Sequence, residues 1–130
     1  MFWRMHRLYL TLAAGLGCLA VALGAFGAHG LAKFLASFDD GALRLDWWKT
    51  AAQYHLAHAL ALGLAAGVVG DTRAGRVACV AFALGIVLFS GSLYTMTLTG
   101  TRWLGAVTPL GGLSMMAGWV ALAVAALSKP

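Results

Sequence analysis

Four long runs without a charged residue constrain this chain more than any other feature. Asp, Glu, Lys and Arg are absent from positions 8–32, 50–70, 77–101 and 103–128, which together make up 97 of the 130 residues. A helix that crosses the hydrocarbon core of a bilayer needs about 20 apolar residues. The sequence therefore predicts an all-α fold, a four-transmembrane-helix bundle. It forms a single membrane domain over residues 1–130, with spans at about 8–28, 50–69, 77–99 and 103–127.

The composition excludes several other classes of protein. Charged residues make up 10% of the chain, against about 25% in an ordinary soluble domain. The net charge of +5 is not gathered on a basic face, because the cations flank the ends of the apolar runs, where they anchor membrane proteins. The lipid bilayer is thus the expected partner, and nucleic acid is not.

The connection between the first two runs is the only long one, from about His29 to Lys49. Leu31, Phe34, Leu35 and Phe38 recur in it at helical spacing and form one apolar stripe. This pattern predicts a short helix that lies in the membrane interface. Trp47 and Trp48 follow it, just before the second run, and are expected to be interfacial anchors.

Four spans place both termini on one side of the membrane. The predicted terminal side carries five Lys or Arg residues, against four on the opposite side. The five are Arg4, Arg7, Arg73, Arg76 and Lys129, and the four are Lys33, Arg44, Lys49 and Arg102. The positive-inside rule favours cytoplasmic termini. Cleavage of the first run as a signal peptide is an alternative, but its apolar stretch exceeds the usual 7–15 residues.

Small residues recur at four-residue spacing along the runs. Helices in a bilayer associate through close packing of such residues, because lipid is as apolar as the side chains that it would replace. One protomer does not use every small-residue face, so the pattern predicts a homo-oligomer or association with another membrane subunit. The predicted helix-packing residues are Gly24, Gly27, Gly63, Gly67 and Gly118.

The polar residues of the runs converge on one end of the bundle. Because the chain alternates in direction, the end of one run and the start of the next lie at the same membrane face. The candidate cluster, at the end that bears the first loop, consists of His29, Gln53, Tyr54, His55, His58, Ser90, Ser92, Tyr94 and Thr108. Pro109, early in the fourth run, is expected to kink that span.

His55 and His58 are three residues apart and share one side of a helix. That spacing makes them weak candidates for a metal site, with His29 as a third ligand. Interhelical hydrogen bonding is the favoured interpretation, because no carboxylate lies in any run to complete a metal or catalytic site. The sequence thus predicts no bound metal, no cofactor and no enzyme activity. The predicted function is that of a non-catalytic oligomer or accessory subunit. The alternative is binding or transport of a small ligand, proton or metal at the polar end.

Four motifs stand out along the chain: Gly24–His29, Trp48 to His58 with Ala59 and Leu60, Phe89–Tyr94, and Thr108–Gly112 with Gly118 and Trp119. They resemble those of domain-of-unknown-function family 423, which includes YgdD-like bacterial inner-membrane proteins and the transmembrane protein 256 family. The resemblance covers nearly the whole chain and implies four spans in a bacterial cytoplasmic (inner) membrane. It implies no activity.

Overall fold

A computed structural model describes residues 2–128 of the chain, and every secondary-structure element in that range is helical. This confirms the predicted all-α class. The α-helices are α1 (Phe2–Phe26), α2 (Ala32–Leu35), α3 (Gly41–Val69), α4 (Arg73–Gly85), α5 (Gly91–Thr99) and α6 (Thr108–Leu127). A π-helical segment at Gly27–Leu31 joins α1 to α2, a second at Ile86–Ser90 joins α4 to α5, and a 3₁₀ turn at Arg102–Ala106 precedes α6.

These elements form four continuous helices that are long and apolar enough to cross a membrane. They run over Arg4–Leu35, Gly41–Val69, Arg73–Thr99 and Arg102–Leu127. The last has 26 residues, which at about 1.5 Å of rise per residue gives roughly 39 Å, more than the hydrocarbon core of about 30 Å. The chain is therefore an integral membrane protein built as a bundle of four long helices.

The helices extend beyond the charge-free runs. The first continues to Leu35 and the second begins at Gly41, so residues 36–40 alone connect them. The predicted short helix exists as Ala32–Leu35, but it is the end of the first long helix and not a separate interfacial element. The helices are longer than the charge-free runs because a charged side chain marks the end of the hydrocarbon core but does not interrupt the backbone hydrogen bonds of a helix. Lys129, which entered the count of basic residues, lies outside the described residues.

The apolar stripe in this region divides into two parts. Leu31 and Leu35 are buried and pack with Trp48 in one cluster. Phe34 and Phe38 are exposed and contact each other, with ring centroids 5.3 Å apart. The two leucines thus fix the end of the first helix to α3, and only the phenylalanines face outward.

The central helix of the bundle is α3. It packs against α1 on one side and against α4, the second π segment and α5 on the other, while α6 packs mainly along α4 and the second π segment. The largest buried cluster lies toward the end that carries the termini and includes Tyr9, Ala13, Leu62, Cys79 and Phe82. Close packing of α1 is almost confined to α3, so most of the surface of α1 faces the surroundings of the protomer.

Pro109 does not kink the fourth span in its interior. It lies in the first turn of α6, directly after the 3₁₀ turn. Proline is well suited to this position because the first helical N–H groups have no partner within the helix. At the other membrane face, Thr72 begins α4 by accepting a hydrogen bond from the Gly75 backbone N–H at 2.9 Å, which satisfies one of those groups.

Candidate functional site: the polar end of the bundle

Both π-helical segments lie in the half of the bundle where the polar residues converge. Gly27–Leu31 faces the start of α3 through Trp48, and Ile86–Ser90 faces α3 through Ser90. A π-helical turn places one extra residue in the helix, and such turns often occur at functional sites. The polar end is therefore the candidate site on backbone geometry as well as on composition.

The two hydrogen-bond partners of His58 define its protonation state. Its Nδ1 lies 2.8 Å from the Tyr54 carbonyl oxygen, and the Trp119 indole N–H donates to its Nε2 at 3.2 Å. A carbonyl oxygen can only accept and an indole N–H can only donate. His58 is consequently a neutral imidazole with its proton on Nδ1, and both ring nitrogens are engaged. It joins α3 to α6.

The ring of His58 is also enclosed by aromatic side chains. It is stacked on Tyr54, at a centroid distance of 5.9 Å, and meets Phe82 at 5.8 Å and Trp119 edge-on at 6.0 Å. His58 is 7% exposed. Aromatic packing as well as two hydrogen bonds therefore holds the His58 ring in place.

His55 has a different environment, although it is only one turn away. Its Nδ1 lies 3.1 Å from the Tyr94 hydroxyl on α5, and Tyr94 in turn contacts Trp48 with ring centroids 4.5 Å apart. The ring is 2% exposed, and its Nε2 forms no hydrogen bond with any described residue. The backbone of Leu16 on α1 lies close enough to interact with the ring.

The hydroxyl groups at this end connect neighbouring helices. Ser90 donates to the Ala51 carbonyl at 2.8 Å, and Thr97 donates to the Arg44 carbonyl at 2.9 Å. Ser92 and Thr108 share a hydrogen bond of 2.7 Å between α5 and α6. Each of these contacts satisfies a buried or partly buried polar group by bridging two elements, which is how polar residues hold membrane helices together.

Two members of the predicted cluster lie apart from these contacts. His29 and Gln53 are exposed, and no side-chain hydrogen bond connects either of them to another described residue. Tyr54 is half exposed, and its ring packs on Phe89 with centroids 4.6 Å apart. The structure thus brings His55, Tyr94 and Trp48 into one group and His58, Tyr54 and Trp119 into another, with His29 outside both. The prediction that His58 lies near the start of its span is wrong, because α3 begins at Gly41 and His58 is past its middle, beside Phe82 and Trp119.

Two tryptophans belong to the site although the sequence did not place them there. Trp48, expected to be an interfacial anchor, is buried, and its indole N–H donates to the Leu23 carbonyl on α1 at 2.8 Å. Trp119 supplies the donor to His58. A signal for Trp119 was available, because a tryptophan in the middle of an apolar span carries an N–H that needs a partner.

The geometry of the two histidines does not resemble a metal site. Among residues 2–128 no group of three metal-ligating side chains comes together. His58 offers no free lone pair, and His55 is directed toward α5 whereas His58 is directed toward α6. Within the described chain, the arrangement performs interhelical hydrogen bonding.

The predicted packing glycines divide into two groups. At Gly27 and Gly118 an added Cβ would collide with the rings of Trp48 and Phe82 respectively, and at Gly63 it would touch the Ala13 methyl at 3.6 Å. At Gly24 and Gly67 it would meet nothing within 4 Å. The first three glycines therefore contact neighbouring helices of the same chain, whereas the last two do not.

An ion-pair group covers this end of the bundle and is centred on Asp40, which lies between the first two spans. Arg44 Nε lies 2.8 Å from one Asp40 carboxylate oxygen, and Arg102 Nη2 lies 3.4 Å from the other. The Arg44 guanidinium, with a smaller effect from Arg102, holds the pKa of Asp40 below its usual value of 3.8. This ion-pair group joins the segment between the first and second long helices to the start of the fourth.

Comparison with known proteins agrees with this architecture. The profile of the family described as "Protein of unknown function (DUF423)" matches residues 23–112. The chain belongs to this family. It is 43% identical over 128 residues to the UPF0382 membrane protein YwdK of Bacillus subtilis (93% of this chain, 97% of the relative). It is also 43% identical over 123 residues to the UPF0382 inner membrane protein YgdD of Escherichia coli K12 (93% of this chain, 90% of the relative). No solved structure matches the chain.

Proposed function

We propose that this protein is a non-catalytic subunit of a membrane assembly, formed first of all by copies of the chain itself. The observation that carries the proposal is a contrast between two surfaces. The polar end is internally paired through His58, Ser90, Ser92 and Thr97. A face of small residues on α1, by contrast, has no helix against it within the protomer.

That face is directed away from the closest contact of α1 with α3, and two of its residues, Ala14 and Cys18, also border an open groove between these helices. Its members recur at spacings of three and four residues and are all exposed: Thr11, Ala14, Gly15, Cys18, Ala22 and Ala25. Tyr9, Ala13 and Ala20 are buried on the opposite side, while Leu8, Leu12 and Leu19 lie between the two sides. Small residues that face lipid contribute little packing there, whereas between helices they permit close approach of two backbones. This arrangement favours a second helix against α1.

Cys18 allows a direct test of the proposal, because it is exposed near the centre of the α1 face whereas Cys79 is buried. In a symmetric dimer whose axis runs along the membrane normal, the same patch meets itself. Two Cys18 residues then approach the Cα separation of about 4.4–6.8 Å that a disulfide requires. Mild oxidation of intact membranes is expected to produce a covalent dimer, and Cys18→Ser should abolish it.

A matched control moves the thiol by one position. The variant Cys18→Ser/Leu19→Cys keeps one exposed thiol on α1 but places it on the adjacent face, and it should cross-link much less. Gly15→Leu should also reduce cross-linking without unfolding the chain, because a Cβ at Gly15 meets nothing within 4 Å. Native mass spectrometry after gentle extraction completes the test. A hetero-complex would identify an accessory subunit, whereas a strictly monomeric, partner-free particle would refute the proposal.

We infer that both termini face the cytoplasm in this assembly. The support is the count of five Lys or Arg residues on the terminal side against four on the other. A fluorescent protein that matures only in the cytoplasm, fused after the last residue, should be bright. A dark fusion protein that is produced in normal amount would reverse the orientation.

A second candidate function is binding of a proton or small polar ligand at His55. The observation in its favour is the buried Nε2 without a hydrogen-bond partner among the described residues, since ionisable groups within membrane proteins often serve transport. In liposomes containing a pH-sensitive dye, it predicts proton flux that His55→Gln abolishes and Trp119→Phe leaves intact. The favoured proposal predicts no flux above that of empty liposomes.

A further inference from the structure

A cleft opens on the outside of the bundle at the end that carries the chain termini. It has a volume of about 540 Å³, and α1, α4 and α6 contribute its walls. It exists because α1 packs along α3 and makes only slight contact with α4. The two helices therefore run side by side in the same direction with a gap between them.

The lining of the cleft changes from basic to apolar with depth. Arg73 and Arg76, in the first turn of α4, lie at the outer end, and Val77, Val80 and Leu84 continue along the same side of that helix. From Arg73 to Leu84 is eleven residues, or roughly 16 Å at about 1.5 Å per residue. That length is close to half of the hydrocarbon thickness of about 30 Å. The cleft thus extends from the interface to about the middle of the bilayer.

The opposite wall is also suited to a hydrocarbon chain. Met5 and Tyr9 of α1 face the valines across the gap. At the basic end, the Arg76 Nη1 donates to the Asp71 backbone carbonyl at 3.1 Å.

We propose that this cleft binds one anionic phospholipid, with its phosphate on Arg73 and Arg76 and one acyl chain along Val77, Val80 and Leu84. Guanidinium groups match phosphate oxygens in charge and in donor geometry. Basic pockets between membrane helices at the interface select anionic head groups. A second copy of the chain is a poorer occupant, because the small-residue face of α1 provides no anionic group to meet two arginines.

The test is native mass spectrometry of the full chain in micelles titrated with phosphatidylglycerol or with phosphatidylcholine of the same acyl chains. Each arginine near an anionic lipid is worth about fivefold in affinity. Arg73→Gln/Arg76→Gln should therefore weaken binding of phosphatidylglycerol by roughly 25- to 30-fold and leave phosphatidylcholine unchanged. Each single variant should lose about fivefold, which keeps the test valid if the double variant folds poorly.

Two control variants separate a bound lipid from general charge effects and from a free anion. Lys33→Gln/Arg102→Gln removes the same net charge at the opposite end and should leave phosphatidylglycerol binding unchanged. Val80→Trp narrows the apolar part and should weaken lipid binding while Arg73 and Arg76 remain. Equal binding of the two lipids, or an equal loss in the opposite-end control, would overturn the proposal. The proposal would also be overturned if inorganic phosphate released the lipid and Val80→Trp did not change lipid binding, because the occupant would then be a free anion.

Discussion

Gly111 and Gly112 are neighbours on α6, yet the structure predicts opposite effects when each is replaced by alanine. A Cβ at Gly111 would fall on the Phe89 backbone nitrogen and lie 2.7 Å from the Phe89 Cα. Because backbone atoms cannot rotate away, α6 would have to move off the second π segment. At Gly112 the nearest atom is the Phe89 Cδ2, at 3.9 Å, which is an ordinary van der Waals contact.

The expected magnitudes follow from these contacts. Overpacking a tight interface costs typically about 1–3 kcal/mol, and a clash with backbone belongs at the upper limit. Replacing a helical glycine by alanine contributes about 1 kcal/mol in the opposite direction. Gly111→Ala should therefore lower the free energy of unfolding by about 2 kcal/mol, and Gly112→Ala should raise it by up to about 1 kcal/mol. The difference of about 3 kcal/mol corresponds to roughly 100-fold in the unfolding equilibrium.

Equilibrium unfolding in mixed micelles with increasing sodium dodecyl sulfate, followed by tryptophan fluorescence, measures this difference. Wild type and the two alanine variants should be compared under one set of conditions. Equal stability of the two variants would refute the argument, since it would mean that α6 does not approach the second π segment as closely as Gly111 indicates. Loss of stability in both variants would mean that the helix tolerates no added methyl group in this region.

Two further predictions concern individual polar contacts. Trp119→Phe keeps an aromatic ring beside Phe82 but removes the donor to His58 Nε2. The free energy of unfolding in micelles should therefore fall by about 0.6 kcal/mol and by no more than about 1.7 kcal/mol. An unchanged free energy of unfolding would mean that this hydrogen bond contributes nothing. Asp40 has a pKa below 3.8 because of Arg44, so its contribution to stability is fully present above about pH 4 and is lost as the pH falls through its lowered folded-state pKa. Asp40→Asn should lower the melting temperature at pH 7 and make the melting temperature depend less on acidification. Asp39→Asn, which replaces a neighbouring exposed carboxylate, is the control and should change neither. If the melting temperature of wild type and of Asp40→Asn varied identically with pH, this assignment would be contradicted.

The number of spans and the location of the polar end were accessible from the sequence. The interior of a bilayer offers no water to charged groups, so the length of each charge-free run is nearly sufficient to count the spans. The chain must then alternate in direction. That constraint alone places Ser90, Ser92 and Thr108 in the half of the bundle that bears the first loop. His58 lies past the middle of α3, toward the termini, beside Phe82 and Trp119.

The helix ends and the role of Trp48 were not accessible in the same way. Charge-free runs report where the hydrocarbon core begins, whereas helix ends depend on backbone hydrogen bonding, and so α3 begins at Gly41 within a charged segment. Trp48 has the composition and position of an interfacial anchor. It is buried because Gly27 provides space for its ring, and because the Leu23 carbonyl accepts its N–H.

The pairing of the polar residues was decided by tertiary structure alone. Spacing along the chain shows that His55 and His58 share one side of α3, but they are about 60° apart around the helix axis, which is enough to direct them toward different neighbours. His58 meets Trp119 and His55 meets Tyr94. The glycines were also decided by tertiary structure. Their spacing predicts which residues can pack closely, but only the arrangement of the helices determines that Gly118 packs against a neighbouring helix and Gly24 does not. The sequence alone thus determined how many helices cross the membrane, because that depends on the bilayer. Which faces of those helices meet depended on contacts between distant parts of the chain.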